Sequence, residues 1–127
     1  MRRALLAACL LAAALVATQK GAAQEGAAQE GWVPKTTADL ILLDKIRAQP
    51  ATMSVKVGDS ATFGSITVHV RSCVTRPPDQ PADSAAFVEV SDSRGKGDVF
   101  HGWILANTPS VSLMEHPVYD LRLTGCH

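Results

Sequence analysis

The sequence predicts an all-β domain, a small sandwich or barrel of about six strands closed by one disulfide. Three observations carry that prediction. Apolar and polar residues alternate in short runs from Met53 to Thr124, the period expected of half-buried strands. Clusters of Gly, Pro, Asp and Ser punctuate those runs, and no convincing amphipathic helix interrupts them. Only two cysteines, Cys73 and Cys126, remain once the N-terminal segment is set aside.

That segment reads as an export signal. Met1-Arg2-Arg3 is a short positive region, Ala4 to Ala17 is an apolar stretch, and Gly21-Ala22-Ala23 offers the small residues a signal peptidase needs. Cleavage is expected after Ala23, giving a signal over 1–23, a flexible tether over 24–36 and a β-domain over 37–127. Leu6-Ala7-Ala8-Cys9 has the form of a lipoprotein box. Too few apolar residues precede Cys9, and the run continues past it to Val16, so a lipid anchor at Cys9 is not expected. The apolar run is also shorter than the roughly 20 residues a bilayer span needs. The expected product is therefore periplasmic, with no membrane span.

Cleavage leaves 9 basic and 12 acidic side chains, a net charge of −3. No basic stripe survives to attract nucleic acid. In an exported chain of this size the remaining cysteine pair is expected to close a disulfide.

Residues 21–31, GAAQEGAAQEG, are small and polar, as expected of a tether. Trp32 at its end either packs on the domain or stays exposed. Residues 38–49, ADLILLDKIRAQ, fit a helix capped by Thr37 or a strand; the strand is preferred because strands follow, and Pro50 is expected to end it. Met53, Val55 and Val57 alternate up to a Gly58-Asp59 turn. Ile66, Val68 and Val70 form the clearest half-buried strand. Arg76 to Pro81 must be a surface loop, because its prolines cannot continue a central strand. Ala86, Val88 and Val90 alternate next, and Asp92 to Asp98 is a polar hairpin connection. Val99 to Ala106 is continuously apolar, as expected of a strand covered on both faces. Tyr119, Leu121 and Leu123 close the chain, and the core is expected to draw on Val, Ile, Leu and all three phenylalanines.

The stretch Phe100 to Cys126, FHGWILANTPSVSLMEHPVYDLRLTGC, concentrates the unusual residue types. Trp103, Met114, Glu115, His116, Tyr119 and Asp120 are the candidate binding surface, with ordinary core packing as the plainer alternative. The four histidines, His69, His101, His116 and His127, show none of the short spacings that mark a metal site. His69 belongs to the polar face of its strand, His101 is within sequence reach of Asp98 or Glu115, and His127 is expected to be mobile. No nucleophile elbow appears, and Gly95-Lys96-Gly97 lacks the strand-loop-helix frame of a phosphate loop. No catalytic residue, metal or cofactor is assigned.

LDK at Leu43–Lys45, FGSI at Phe63–Ile66 followed by Cys73, RPP at Arg76–Pro78, AAF at Ala85–Phe87, F-x-GW at Phe100–Trp103 and EHPVYD at Glu115–Asp120 with a final cysteine form a specific combination. It resembles the family of exported alphaproteobacterial proteins catalogued as domain of unknown function 2155, over about Asp39 to Cys126. The resemblance implies a periplasmic protein of Gram-negative bacteria and carries no catalytic or ligand residues. It also implies a gene near one for an accessory subunit of respiratory complex I, which hints at envelope or respiratory-chain housekeeping. Ile104-Leu105 departs from the methionine and bulky aromatic expected after the tryptophan, an exchange suited to packing.

Three functional readings follow. The first is a non-catalytic β-domain that binds or supports another cell-envelope protein. The second is a small-ligand or carbohydrate-binding module using Trp103 and Tyr119. The third is a metal-dependent enzyme using His101, His116 and Asp120.

Overall fold

A computed structural model describes residues 31–95 and 97–127. The expected signal at 1–23 and residues 24–30 of the expected tether lie outside them. The described chain forms β1 (Val33–Pro34), β2 (Thr37–Asp44), β3 (Gln49–Lys56), β4 (Ser60–Phe63), β5 (Ile66–Thr75), β6 (Ser84–Asp92), β7 (Gly97–Leu105) and β8 (Tyr119–Cys126). A single 3-10 turn, Pro109–Val111, interrupts the connection from β7 to β8.

These strands make two antiparallel sheets stacked as a sandwich. One sheet runs β1-β5-β6-β7, with β4 also paired to β5; the other runs β3-β2-β8. β4 covers the first half of β5 (Phe63 opposite Ile66) and β1 its far end (Val33 opposite Thr75). The period-two pattern then does what it must. Ile66, Val68 and Val70 of β5, Ala86, Val88 and Val90 of β6, Leu40 and Leu42 of β2, and Leu121 and Leu123 of β8 all turn into one core. Each fully buried Val or Leu is worth about 1.5–3 kcal/mol relative to an exposed one.

The strand reading of residues 38–49 holds for β2, but Pro50 does not end it. Asp44 ends it, because its Oδ1 accepts the N–H groups of Ile46 and Arg47, each at 3.0 Å, and turns the chain. Pro50 instead lies in β3 opposite Leu43. β3 is a sheet edge, where a missing N–H leaves no ladder bond unmade.

The six longer strands are the six runs expected, and β1 and β4 add two pieces too short to show a period. Three other expectations are corrected. The ordered chain starts before Thr37: Val33-Pro34 pairs with β5, Lys35 donates to the Cys73 carbonyl at 2.7 Å, and Trp32 lies under the Arg76 guanidinium at 4.3 Å. The apolar run in β7 is an edge strand with only Ile104 buried, not a strand covered on both faces. The phenylalanines do not fill the core either. Phe63 and Phe100 pack at its margin, and Phe87 lies on the outer face among residues flanking buried Ala86 and Val88.

His127 is also not loose. Its N–H donates to the Thr37 carbonyl at 2.9 Å, and its own carbonyl accepts from Thr36 and Thr37. Next to it, Cys126 of β8 is bonded to Cys73 of β5, with Cα atoms 5.7 Å apart, so the one disulfide joins the two sheets. The closed loop spans a sequence separation of 53. Replacing Cys73 and Cys126 by alanine should lower the unfolding free energy by up to about 4 kcal/mol on the chain-entropy scale. Urea unfolding of wild type and variant checks this, and coincident curves would refute it.

Candidate functional site

The Glu115–Asp120 segment folds into a hydrogen-bonded knot at one end of the sandwich. β6 ends at Asp92, whose Oδ1 accepts the Arg94 N–H at 2.9 Å and closes the turn into β7. Its Oδ2 lies 2.8 Å from His116 Nε2. His116 Nδ1 accepts the N–H groups of Val118 at 3.0 Å and Tyr119 at 3.1 Å. An acceptor at Nδ1 places the ring proton on Nε2, pointing at Asp92. The imidazole is thus a bracket between the start of β8 and the end of β6, with its side chain 7 % exposed.

Tyr119 continues the knot inward. It is 6 % exposed, packs edge-on against Phe63 and accepts the Ser65 N–H on its hydroxyl at 3.3 Å. Gly64 makes room for that hydroxyl: at φ 57° a side chain is strained, and a Cβ would stand 2.1 Å from Tyr119 Oη. Lys45 donates to the His116 carbonyl from the neighbouring turn. No buried side-chain polar atom among the described residues lacks a partner. Each of these groups has a partner within the fold and helps hold it.

The six candidate residues divide: Met114, Glu115, His116 and Asp120 line one concavity together with Lys45 and Arg122, while Trp103 and Tyr119 lie apart from it. Met114 and Tyr119 belong to the core, and His116 is spent on Asp92. Asp120 caps its own neighbour Leu121 and faces Arg122 at 3.4 Å; Glu115 is exposed. Trp103 lies on the outer face of the other sheet, 5.4 Å edge-on from Phe87, which in turn meets His101 at 5.1 Å. Tyr119 and Trp103 cannot share a ligand platform.

The remaining histidines serve the sheet surface. Ser60, His69, Glu89 and His101 lie in register across β4, β5, β6 and β7. Ser60 Oγ is 2.8 Å from His69 Nδ1, and His101 approaches Glu89 at 3.5 Å rather than Asp98 or Glu115. The Arg71 guanidinium, 2.9 Å away, holds the Glu89 carboxyl below its ordinary range. Among the described residues no group of three His, Cys, Asp or Glu side chains is placed to hold a metal ion, and no helix is long and apolar enough to cross a membrane.

What does face outward is the connection between β7 and β8. At its start Asp83 Oδ1 accepts the Asn107 N–H at 2.9 Å, and Thr108 Oγ1 donates to Asp83 Oδ2 at 3.3 Å. At its end Met114 enters the core and His116 is bracketed. Between these anchors Val111 is 72 % and Leu113 51 % exposed. The sequence marks the loop, but neither those two side chains nor the carboxylates of Asp83 and Asp92 that fix it. An aspartate at each strand boundary of β6 was the available signal.

The family profile described as an uncharacterized protein conserved in bacteria, domain of unknown function 2155, matches residues 38–126. The chain belongs to this family. A family relative, Uncharacterized protein RP359 of Rickettsia prowazekii (strain Madrid E), is 26 % identical over 94 residues. The alignment covers 72 % of this chain but only 61 % of that relative's length. No solved structure matches the fold significantly. The family segment begins and ends within the paired strands β2 and β8, so it coincides with the sandwich.

His116→Ala leaves Asp92 Oδ2 and two backbone N–H groups without partners and should cost about 2–4 kcal/mol. His116→Asn, which keeps an acceptor near the Nδ1 position, should recover part of that loss in chemical denaturation. The Asp92 carboxyl is held down to about 2, first by the Arg94 N–H and then by His116 and Ser65. A carboxyl depressed in the folded state contributes stability above its ordinary value of 3.8 that is lost as pH falls toward about 2. Asp92→Asn should flatten the stability profile in that window, and acid titrations parallel to wild type would contradict this.

Proposed function

We propose that the chain is an exported, non-catalytic β-domain of the bacterial envelope that binds another envelope protein through the loop Asn107–Pro117. The observation that carries this is the exposure of Val111 and Leu113 between fixed anchors. Aliphatic side chains held outward on a positioned loop are the usual anchors of a protein contact, because their burial on binding costs little further ordering. The charged-apolar-small pattern of residues 1–23 and the cross-sheet disulfide support an oxidising, extracytoplasmic location. The binding-module reading on Trp103 and Tyr119 loses its platform, since Tyr119 is a core residue.

Expression of the full chain in a Gram-negative host should yield periplasmic protein whose N-terminus is Gln24, read by intact mass. A photo-crosslinking residue placed at Leu113 should then capture one discrete envelope protein. Val111→Ser with Leu113→Ser should abolish competition by unlabelled protein without lowering Tm. Cytoplasmic retention of the full chain, or undiminished competition by the serine variant, would sink the proposal.

A further inference from the structure

Five arginines fall within the described residues, and their side chains divide into two sets. Arg71 pairs with Glu89, Arg122 with Asp120, and Arg76 stacks on Trp32 while donating to Gln80 at 3.1 Å. Among the described residues the guanidiniums of Arg47 and Arg94 have neither an ion-pair partner nor a hydrogen bond. Both line one cavity of about 350 Å³, between the turns that follow β2, β4 and β6. Two of the five arginines among the described residues thus border one concavity from two different turns.

The rest of the cavity is mixed in a particular way. Phe63 and Val118 supply apolar walls, with Gln49 and the nearly buried Tyr119 beside them. Asp44 also lines it: its Oδ1 accepts the N–H groups of Ile46 and Arg47 and fixes the turn that presents Arg47, while its charge leaves the two arginines a net excess of one positive charge in the lining. Ile46 lies on the cavity wall with 75 % of its surface exposed, an aliphatic side chain that the fold does not use. The lining is rigid, because Tyr119 is held by Ser65 and the end of β6 by His116.

We infer that this cavity binds a carboxylate carried on an apolar body, with the charged head between Arg47 and Arg94 and the body against Phe63, Val118 and Ile46. A guanidinium fork matches a carboxylate geometrically, and two of them beside apolar walls select an organic acid over a simple inorganic anion. The volume falls at the small end of ligand pockets, room for one side chain and its carboxylate. A free organic acid and the C-terminal residue of a protein present the same chemistry. The site is separate from the loop Asn107–Pro117 and does not depend on that reading.

The test is NMR titration of the disulfide-bonded protein with N-acetylphenylalanine, its amide, and a pentapeptide ending in phenylalanine. Millimolar acid should shift the amide signals of Gly64, Arg94 and Val118, with the amide ligand weaker by about tenfold or more. Arg47→Gln with Arg94→Gln should abolish the shifts at unchanged Tm, while Arg122→Gln, which removes an equal kind of charge elsewhere, should leave them. A pentapeptide tighter than the acid assigns a protein C-terminus, and equal affinity assigns a free organic acid. Absence of shifts, equal binding of the amide, or undiminished binding by the double variant would overturn the inference.

Discussion

Among the described residues no ladder hydrogen bond joins the two sheets, so side-chain packing, one covalent bond and a few hydrogen bonds at the ends, such as His116 to Asp92 and the Ser65 N–H to Tyr119, hold them face to face. Everything else follows from that division. Within each sheet the backbone satisfies itself, and the period-two pattern only decides which side chains meet across the gap. The interface is filled almost entirely by Val, Leu, Ile and Ala, which are small and stiff and bury modest area each. A domain with so little interior depends on its cross-link more than a larger one would. The cysteine pair sits where the sheets come together beside the chain's C-terminal strand, at the end opposite the Asp92–His116 bracket.

Each end of the sandwich is closed by a carboxylate that serves two masters. Asp83, just before β6, caps the strand start and holds Asn107 and Thr108; Asp92, at its end, shapes the hairpin and holds His116. Together they pin the long connection from β7 to β8 at both extremities, so that it runs the length of the molecule between the two edge strands. Met114, towards its end, fastens it to the core. The residue types that make the segment look catalytic in sequence, histidine beside proline and tyrosine beside aspartate, are used here to solve a closure problem. Loop backbone that crosses from sheet to sheet has no ladder to join and must find side-chain partners.

Much of this was legible before the fold was known. Val68, Val88 and Leu121 sit in runs whose alternation is unambiguous, and Cys73 and Cys126 had no other partner to choose. The family resemblance rested on motifs such as EHPVYD and F-x-GW, and the match over residues 38–126 bears it out. The rest depended on long-range geometry that a local window does not contain. A continuous apolar run in β7 says that both faces carry apolar groups, not that both are covered, and the strand proved to be an edge. His116 and Asp92 are 24 residues apart, and only the antiparallel return of β8 brings them together. Arg47 and Arg94 are unremarkable surface residues until two turns from different sheets place them on one cavity.

The position of the cross-link has a mechanical consequence. Ala38 and Cys126 lie side by side at one end of β2 and β8, so tension between the two ends would peel that pair one rung at a time. The bond from Cys126 to Cys73 diverts the load into β5 after a single residue. Residues 74–125 then lie off the force path. The connection from β7 to β8, the Asp92–His116 bracket and Arg94 bear no direct load, and among the described residues the segment up to Cys73 is the one drawn out. A pull on the two ends thus reaches the loop Asn107–Pro117 only indirectly, through loss of the partner strands β2 and β5.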